Sequence, residues 1–469
     1  MPSTAETAAA GHRPRLAILG AGPIGLEAAL AAAEAGLPFT LYEAGDQVAA
    51  NVRAWGHVRL FTPWEMNVSP RMRRHVAAAG EAPPPGGPVA AAGAAGMAAA
   101  ETAAAPAAPA NVAGACPTGR ELAEQLLDRV AALPAIAPRL RLGTRVLAVG
   151  REGLLKHEEI ATAERGRRPF RLLVAAADGT ERVEHAEVVL DATGTWGHPN
   201  SLGDGGIPAP GELRLGSEIR RAIPDLAREA AAWAGRSVLL AGAGASAQTA
   251  ARDLAELARS APGTRVLWAL RRGEPSWGSP AGDPLPERAR LAAVAAGLAA
   301  GASPAVAVER AVVVEAIARA GGGPGHGAIA GAGTEAAAGG PFVVTLRGSG
   351  PGGGGNGQPE GGGSDRRRQV TVDRVLSLTG AVGDHQLYRQ LQVHECYATC
   401  GPIKLSAALL GAAGGDCLQQ TSHGVEALTN PEPGFFILGS KSYGRNNTFL
   451  LRVGWEQVEE VFSGLRGSV

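Results

Sequence analysis

The feature that most limits how this chain can fold is a glycine-rich turn that occurs twice, each time between an apolar run and a helix-forming segment. The first copy, Gly20-Ala21-Gly22-Pro23-Ile24-Gly25, directly follows the apolar run Leu16 to Leu19. The second copy, Gly242-Ala243-Gly244-Ala245-Ser246-Ala247, follows Val238 to Leu240. A strand, a glycine turn and a helix in this order are typical of βαβ units. Two copies therefore predict an α/β protein with two doubly wound domains.

The first turn has the residues that a dinucleotide phosphate site needs. Its first glycine permits the tight turn, its second lets the backbone approach a pyrophosphate, and its third lets helix and strand pack closely. The helix that follows presents free N–H groups to the phosphates. Glu43 ends the next apolar run and is expected to accept hydrogen bonds from ribose hydroxyls. The predicted site consists of Gly20, Gly22, Pro23, Ile24, Gly25 and Glu43.

The second turn predicts another Rossmann-like dinucleotide site, in which Ala247 replaces the third glycine, as the fingerprint tolerates. The next predicted strand, Val266 to Leu270, is followed by two arginines where an acidic residue would select NAD. Guanidinium groups suit a 2′-phosphate, which favours NADPH, although two solvated arginines at a strand end remain an alternative. The predicted residues are Gly242, Gly244, Ser246, Ala247, Arg271 and Arg272.

Two further turns extend the pattern. Asp191-Ala192-Thr193-Gly194 follows an apolar strand, and Leu378-Thr379-Gly380 occurs much later in the chain. With both glycine turns, the chain resembles the FAD/NAD(P)-binding two-dinucleotide flavoproteins, the superfamily of flavin-containing monooxygenases and pyridine nucleotide–disulfide oxidoreductases. The resemblance implies FAD at the first glycine turn and NAD(P)H at the second. It also implies cofactor contacts from the strand Thr144 to Val149 and from the later turns, here assigned to Val146, Thr193, Gly194, Gly439 and Ser440.

The resemblance implies a discontinuous FAD-binding domain, formed by residues 14–200 and 370–469, with the NAD(P)H-binding domain at 201–347 between them. Three segments rich in Ala, Gly or Pro, at 77–115, 321–340 and 348–364, are expected to be disordered surface insertions or linkers. Relatives commonly carry a Gly-Asp pair after the final strand, where this chain has Gly439-Ser440. Ser440 or Asn447 is expected to substitute as a hydrogen-bonding group. A helix is predicted from about Thr448, and its dipole could stabilise a negatively charged reduced flavin.

The four cysteines, too few for a disulfide scaffold, fit a reducing compartment. No cysteine occurs at 44–75 or 201–345, where disulfide-reductase relatives carry their redox pair. Cys396 and Cys400 are separated by three residues, and one helical turn could bring both sulfurs to one face. They are weak catalytic candidates, because small buried cysteines are common. Nothing in the Cys and His spacing predicts a metal site.

Net charge and hydropathy limit the kinds of partner that the protein is expected to bind. The chain has 44 basic and 44 acidic residues, so nothing calls for nucleic acid or an anionic membrane. No apolar run reaches the roughly 20 residues that a membrane-spanning helix needs. A cytoplasmic location is expected, with targeting to an organelle as the alternative.

The sequence predicts an FAD- and NADPH-dependent oxidoreductase that acts on a small molecule. Monooxygenase chemistry is favoured over a reductase that works through flavin alone or through Cys396 and Cys400. A non-catalytic FAD-binding protein is a third reading. The Phe-x-Gly-x-x-x-His motif of the monooxygenases is missing, since residues 211–235 contain no histidine.

Overall fold

The computed structural model describes residues 13–81, 115–279, 283–321, 340–348, 367–411, 418 and 421–467. The chain divides into two compact units, unit 1 (Met1–His198 and Val382–Val469) and unit 2 (Pro199–Ala381). The predicted insertions at 77–115, 321–340 and 348–364 fall almost wholly outside the described residues, as does Cys417.

Unit 1 contains a five-stranded parallel sheet and a three-stranded antiparallel sheet. The parallel sheet has the order β15-β7-β1-β2-β3, and the antiparallel sheet has the order β4-β5-β6. The strands are β1 (Leu16–Leu19), β2 (Phe39–Tyr42), β3 (Leu140–Arg141), β4 (Thr144–Arg151), β5 (Phe170–Ala176), β6 (Glu181–Ala186), β7 (Val188–Asp191) and β15 (Phe435–Ile437).

The helices of unit 1 flank these sheets. A single turn of π-helix, Ala123–Leu127, joins α4 to α5 without a break. The α-helices are α1 (Pro23–Glu34), α2 (Ala50–Ala54), α3 (Pro70–Ala78), α4 (Gly119–Leu122), α5 (Asp128–Ala132), α6 (Ala163–Arg167), α10 (Ile403–Gly411), α11 (Val425–Leu428), α12 (Ser440–Tyr443) and α13 (Leu451–Gly467).

The core of unit 1 has two parts, one on each face of the parallel sheet. All four residues of β1 and of β7 are buried, as expected for central strands covered on both faces. On one face, α1 contributes an almost entirely buried alanine- and leucine-rich surface that packs with α3 and α13, and α5 packs with α3. On the other face, apolar residues of β4 and β5 pack with Leu387, Tyr388 and Phe435.

Unit 2 repeats this plan with a smaller sheet. Its parallel sheet has the order β10-β9-β8-β14, and its antiparallel sheet has the order β11-β12-β13. The elements are α7 (Leu226–Trp233), β8 (Ser237–Ala241), α8 (Ala245–Ser260), β9 (Arg265–Leu270), α9 (Pro286–Ala299), β10 (Val306–Arg310), β11 (Val312–Arg319), β12 (Phe342–Gly348), β13 (Arg367–Val372) and β14 (Arg374–Ser377).

The expected fold class is confirmed by these two doubly wound units. One boundary differs from the sequence expectation. The second part of the FAD-binding domain was expected from residue 370, but the chain returns to unit 1 only at Val382. The reason is that β13 and β14 belong to the sheets of unit 2, where β14 pairs in parallel with β8.

Candidate functional site

The first glycine turn, between β1 and α1, requires glycine at two of its three positions. A Cβ on Gly25 would lie 1.7 Å from the carbonyl oxygen of Gly20, and Gly20 itself has a φ of +93°. At Gly22 a Cβ would meet nothing within 4 Å. Gly22 therefore faces open space at the start of a helix, where a phosphate group would be bound by backbone N–H groups. Pro23 is the first residue of the helix, and Ile24 packs beside Gly439 and Gly454.

Glu43 lies beside this turn, as its proposed ribose contact requires. One carboxylate oxygen accepts a hydrogen bond from the N–H of Ala21 at 2.9 Å, and the other accepts one from Gly45 at 2.9 Å. Each oxygen retains a further lone pair for an additional donor. The Glu43 carboxylate, which would bind the ribose, is thus held next to the glycine turn, which would bind the phosphates.

The turn after β7 carries an ion pair that the sequence analysis missed. The Lys441 ammonium donates to Asp191 Oδ2 at 2.6 Å and to Thr193 Oγ1 at 3.1 Å, and both charged side chains are buried. The Thr193 hydroxyl and N–H donate to Asp191 Oδ1 at 2.7 and 3.2 Å. A Cβ on Gly383 would lie only 2.4 Å from the Lys441 stem. Lys441 therefore fixes the conformation of the predicted cofactor-binding Thr193-Gly194 turn.

The segment after β15 differs in detail from the expectation. Gly439 has a φ of +70°, and the Ser440 hydroxyl lies 3.7 Å from where a Cβ of Gly194 would be, so the two predicted cofactor segments are neighbours. The long C-terminal helix begins at Leu451 rather than at about Thr448. The reason is an Asn446 turn, in which Asn446 Oδ1 accepts both the N–H and the hydroxyl of Thr448.

Another residue predicted to contact the cofactor lies in the antiparallel sheet of unit 1. Val146 of β4 precedes a β-bulge, which interrupts the regular pairing with β5. In residues 55–67, Trp64 is buried in the core and Asn67 is hydrogen-bonded to Thr62 and Pro63. These two side chains stabilise the protein itself. Buried atoms without a hydrogen-bond partner in the same segment are His57 Nε2 and Glu65 Oε2.

The second glycine turn, between β8 and α8, also has one glycine that the fold requires and one that faces open space. A Cβ on Gly242 would lie 2.2 Å from the carbonyl oxygen of Leu378, whereas a Cβ on Gly244 would meet nothing within 4 Å. Ser246 is exposed in the first turn of α8, and Ala247 is fully buried in the position of the third glycine. Arg271 and Arg272 are exposed directly after β9, the strand next to β8.

The two candidate cysteines lie at the two ends of a single hydrogen-bonded turn that does not continue into a helix. Cys400 has a left-handed φ of +59°, and its N–H donates to the Cys396 carbonyl at 2.7 Å, which closes a tight loop. Cys396 is buried. Hydrogen bonds from the Thr399 N–H, followed by those from the Thr399 side chain and the Ala398 N–H, lower the pKa of the Cys396 thiol.

The sequence predicts no role for His385, which has a buried ring nitrogen. His385 Nδ1 lies 2.8 Å from a Glu395 carboxylate oxygen, while its buried Nε2 has no partner. The Tyr388 ring stacks at 5.8 Å from His385, and the Lys441 ammonium lies 5.1 Å from the Tyr388 ring centre.

Within the described residues, no group of three or more His, Cys, Asp or Glu side chains could hold a metal ion. None of the described helices is long and apolar enough to span a bilayer.

Comparison with known proteins bears on the fold. No family model matches the chain, and no curated protein sequence matches it. Among solved structures, bacillithiol disulfide reductase from Bacillus cereus has a TM-score of 0.59 at 17% identity, covering 98% of this chain and 100% of its own. Thioredoxin reductase from T. acidophilum has a TM-score of 0.51 at 13% identity, covering 96% and 97%.

A third similar structure is an FAD-bound cadaverine monooxygenase of desferrioxamine biosynthesis from Erwinia amylovora. Its TM-score is 0.55 at 12% identity, with 97% of this chain and 95% of that chain covered. All three likenesses extend over nearly the whole length of both chains. The fold of this chain is therefore the fold that these three solved structures share.

Proposed function

We propose that this protein is an FAD- and NADPH-dependent oxidoreductase, with FAD in unit 1 and NADPH in unit 2. The observation that carries the proposal is the repeated glycine turn. In each unit the second glycine faces open space at a helix N-terminus, while the first approaches backbone so closely that a Cβ would collide. Two such turns fit two dinucleotides.

The residues of unit 1 fit FAD, and different residues would contact different parts of the cofactor. The turn Gly20 to Gly25 would hold the pyrophosphate and Glu43 the ribose, while Thr193, Gly194, Gly439 and Ser440 would border the flavin part. The unpartnered His57 Nε2 and Glu65 Oε2 are available as additional hydrogen-bonding atoms. When bound, FAD supplies the two-electron chemistry that the protein side chains cannot.

The residues of unit 2 fit NADPH better than NADH. Gly242 and Gly244 would hold the pyrophosphate. Arg271 and Arg272 follow β9, the strand next to β8, where the adenosine ribose would be bound. Two guanidinium groups there favour a 2′-phosphate through charge-assisted hydrogen bonds.

For the reaction we propose a monooxygenase: substrate, O₂, NADPH and a proton give hydroxylated substrate, water and NADP⁺. Its support is the burial of Cys396, which limits the access of a disulfide substrate to that thiol. The sequence contains no cysteine at 44–75 or 201–345 either. A small organic molecule is the proposed substrate class, and the cadaverine monooxygenase with this fold makes aliphatic amines the first group to try.

The second candidate is a disulfide reductase, in which a disulfide, NADPH and a proton give two thiols and NADP⁺. The lowered pKa of Cys396 favours it, because the thiolate is the reacting form. The loop that joins Cys396 to Cys400 also keeps the two residues close in space.

Oxygen and thiol measurements on one preparation separate the two candidates. NADPH oxidation is followed with a panel of diamines, thioethers and low-molecular-weight disulfides, with O₂ uptake, hydrogen peroxide and product mass recorded. A monooxygenase consumes one O₂ for each hydroxylated product and retains this activity in Cys396→Ser. Disulfide-dependent NADPH oxidation without O₂ uptake, lost in Cys396→Ser but retained in the control Cys116→Ser, would overturn the monooxygenase proposal.

A further inference from the structure

The loop after β9, which begins with Arg271 and Arg272, is tied to the rest of unit 2 by two side chains. One is Gln248 of α8, and the other is Arg310 at the end of β10. Neither residue belongs to the glycine fingerprint or carries a role in the proposed function. Both bind backbone carbonyl groups of the loop, so both act on the loop's conformation.

Gln248 joins the glycine turn to the loop through a single amide group. Its side-chain Nε2 donates to the carbonyl of Ala243, inside the glycine turn, at 2.9 Å and to the carbonyl of Trp277 at 3.1 Å. The side chain is buried, with 3% of the residue exposed. A buried amide that uses both of its N–H donors in this way has few alternative conformations.

Aromatic contacts reinforce the same connection. The Trp277 ring lies 5.4 Å from the ring of Trp268, centre to centre, at an interplanar angle of 49°. The Trp268 indole N–H donates to the carbonyl of Gly242 at 2.8 Å. The loop is therefore held against the glycine turn at Trp277, both by Gln248 and by the contact between the two tryptophans.

Arg310 fixes the loop nearer its beginning. Its Nη1 donates to the carbonyl of Gly273 at 3.1 Å, and its Nη2 donates to the carbonyl of Ala299 at 3.3 Å. Gly273 directly follows Arg272, so this hydrogen bond holds the backbone beside the two arginines. With Gln248 at Trp277, the loop is held at two separate points.

We propose that Gln248 is a positioning residue for nucleotide selection, which holds the Arg271–Arg272 loop where it recognises a 2′-phosphate. The inference rests on the proposed use of NADPH. A flexible loop must lose conformational entropy before two guanidinium groups can bind one phosphate, and a preformed loop avoids that cost. Gln248 thus favours ligands with a 2′-phosphate and leaves the binding of other adenine nucleotides unchanged.

The test measures binding of two nucleotide fragments to the purified holoprotein by calorimetry. The fragments are 2′,5′-ADP and 5′-AMP, which differ in the 2′-phosphate alone. In Gln248→Met, which keeps the side-chain volume and removes both donors, we expect affinity for 2′,5′-ADP to fall about tenfold. Affinity for 5′-AMP should change less than about twofold. The control Arg259→Met alters an exposed residue at the other end of α8 and should change neither value.

A double-mutant cycle separates positioning from general damage. In an Arg271→Met/Arg272→Met background, adding Gln248→Met should have no further effect on 2′,5′-ADP binding. Equal losses for both fragments, or no loss for either, would overturn the inference while leaving NADPH use intact. A wild-type protein that binds 5′-AMP as tightly as 2′,5′-ADP would instead contradict the proposed use of NADPH, and the inference with it.

Discussion

At the scale of single residues, the glycines of the first turn have two different tasks. Gly25 is required by the fold, because its Cβ would overlap the carbonyl of Gly20. Gly22 is not required by the fold, because its Cβ would meet nothing within 4 Å. The open space beside the helix N-terminus can therefore accommodate a phosphate group.

Replacing each glycine by alanine should separate these tasks. Gly22→Ala should fold with an unchanged melting temperature but lose FAD affinity at least tenfold, because its methyl group occupies the phosphate's approach. Gly25→Ala should lower the melting temperature as well, because the backbone must shift. Thermal unfolding of the apoprotein and FAD titration check both. Normal FAD binding by Gly22→Ala would contradict the assignment of the pyrophosphate to this turn.

The buried ion pair under the Thr193-Gly194 turn makes a second residue-scale prediction. Lys441→Met leaves Asp191 buried without its cation and should cost about 3–5 kcal/mol of unfolding free energy. Lys441→Met/Asp191→Asn removes both charges and should recover part of that loss. Lys404→Met, at an exposed ammonium, should cost less than about 0.5 kcal/mol. Denaturant unfolding measures all three, and a double variant no more stable than Lys441→Met would argue against an ion-pair effect.

At the scale of secondary-structure elements, the apolar strands were the part that could be predicted. Val238 to Leu240 and Val266 to Leu270 were each found within one residue at both ends of β8 and β9. Such strands are buried on both faces, which gives continuous apolar runs. Strands β6 and β13 could not be found this way, because they are largely exposed and rich in charged residues.

Lys441 shows why part of the site could not be predicted. A lysine in a polar segment is expected at the surface. Its partner Asp191 is 250 residues earlier in the sequence, at the end of a strand that is adjacent to β15 only in the folded sheet. The glycine turns, by contrast, are local, and each contains strand, turn and helix signals within a few residues.

The start of α9 makes an element-scale prediction about pH. Hydrogen bonds from Arg288, together with those from Ser279 and the Leu285 N–H, lower the pKa of Asp283 from 3.8 to about 2. A carboxyl group with a lowered pKa in the folded state stabilises the protein above its unfolded pKa, and this contribution disappears as pH falls from about 4 to about 2.

Asp283→Asn should therefore destabilise the protein at pH 6, and the difference from wild type should shrink toward pH 3. Denaturant unfolding at the two pH values measures this difference. A difference of constant size at both pH values would mean that the charge of Asp283 does not stabilise the start of α9.

At the scale of the whole molecule, two units with the same strand–turn–helix plan explain why one chain would hold two dinucleotides. The fold is shared with disulfide reductases and with a monooxygenase, so fold alone does not select the reaction. What would differ among such proteins is the local chemistry beside the flavin. Candidates for such local chemistry in unit 1 are the Lys441–Asp191 pair, the buried Cys396 and the His385–Glu395 pair.

The central claim, one FAD reduced by NADPH, is tested most directly by a visible spectrum and an anaerobic titration. The purified or FAD-reconstituted protein should show the absorption bands of one bound flavin per chain. One equivalent of NADPH should bleach these bands, and NADH should do so more slowly. A protein that stays colourless after incubation with FAD, or a yellow protein that NADPH does not bleach, would contradict the account.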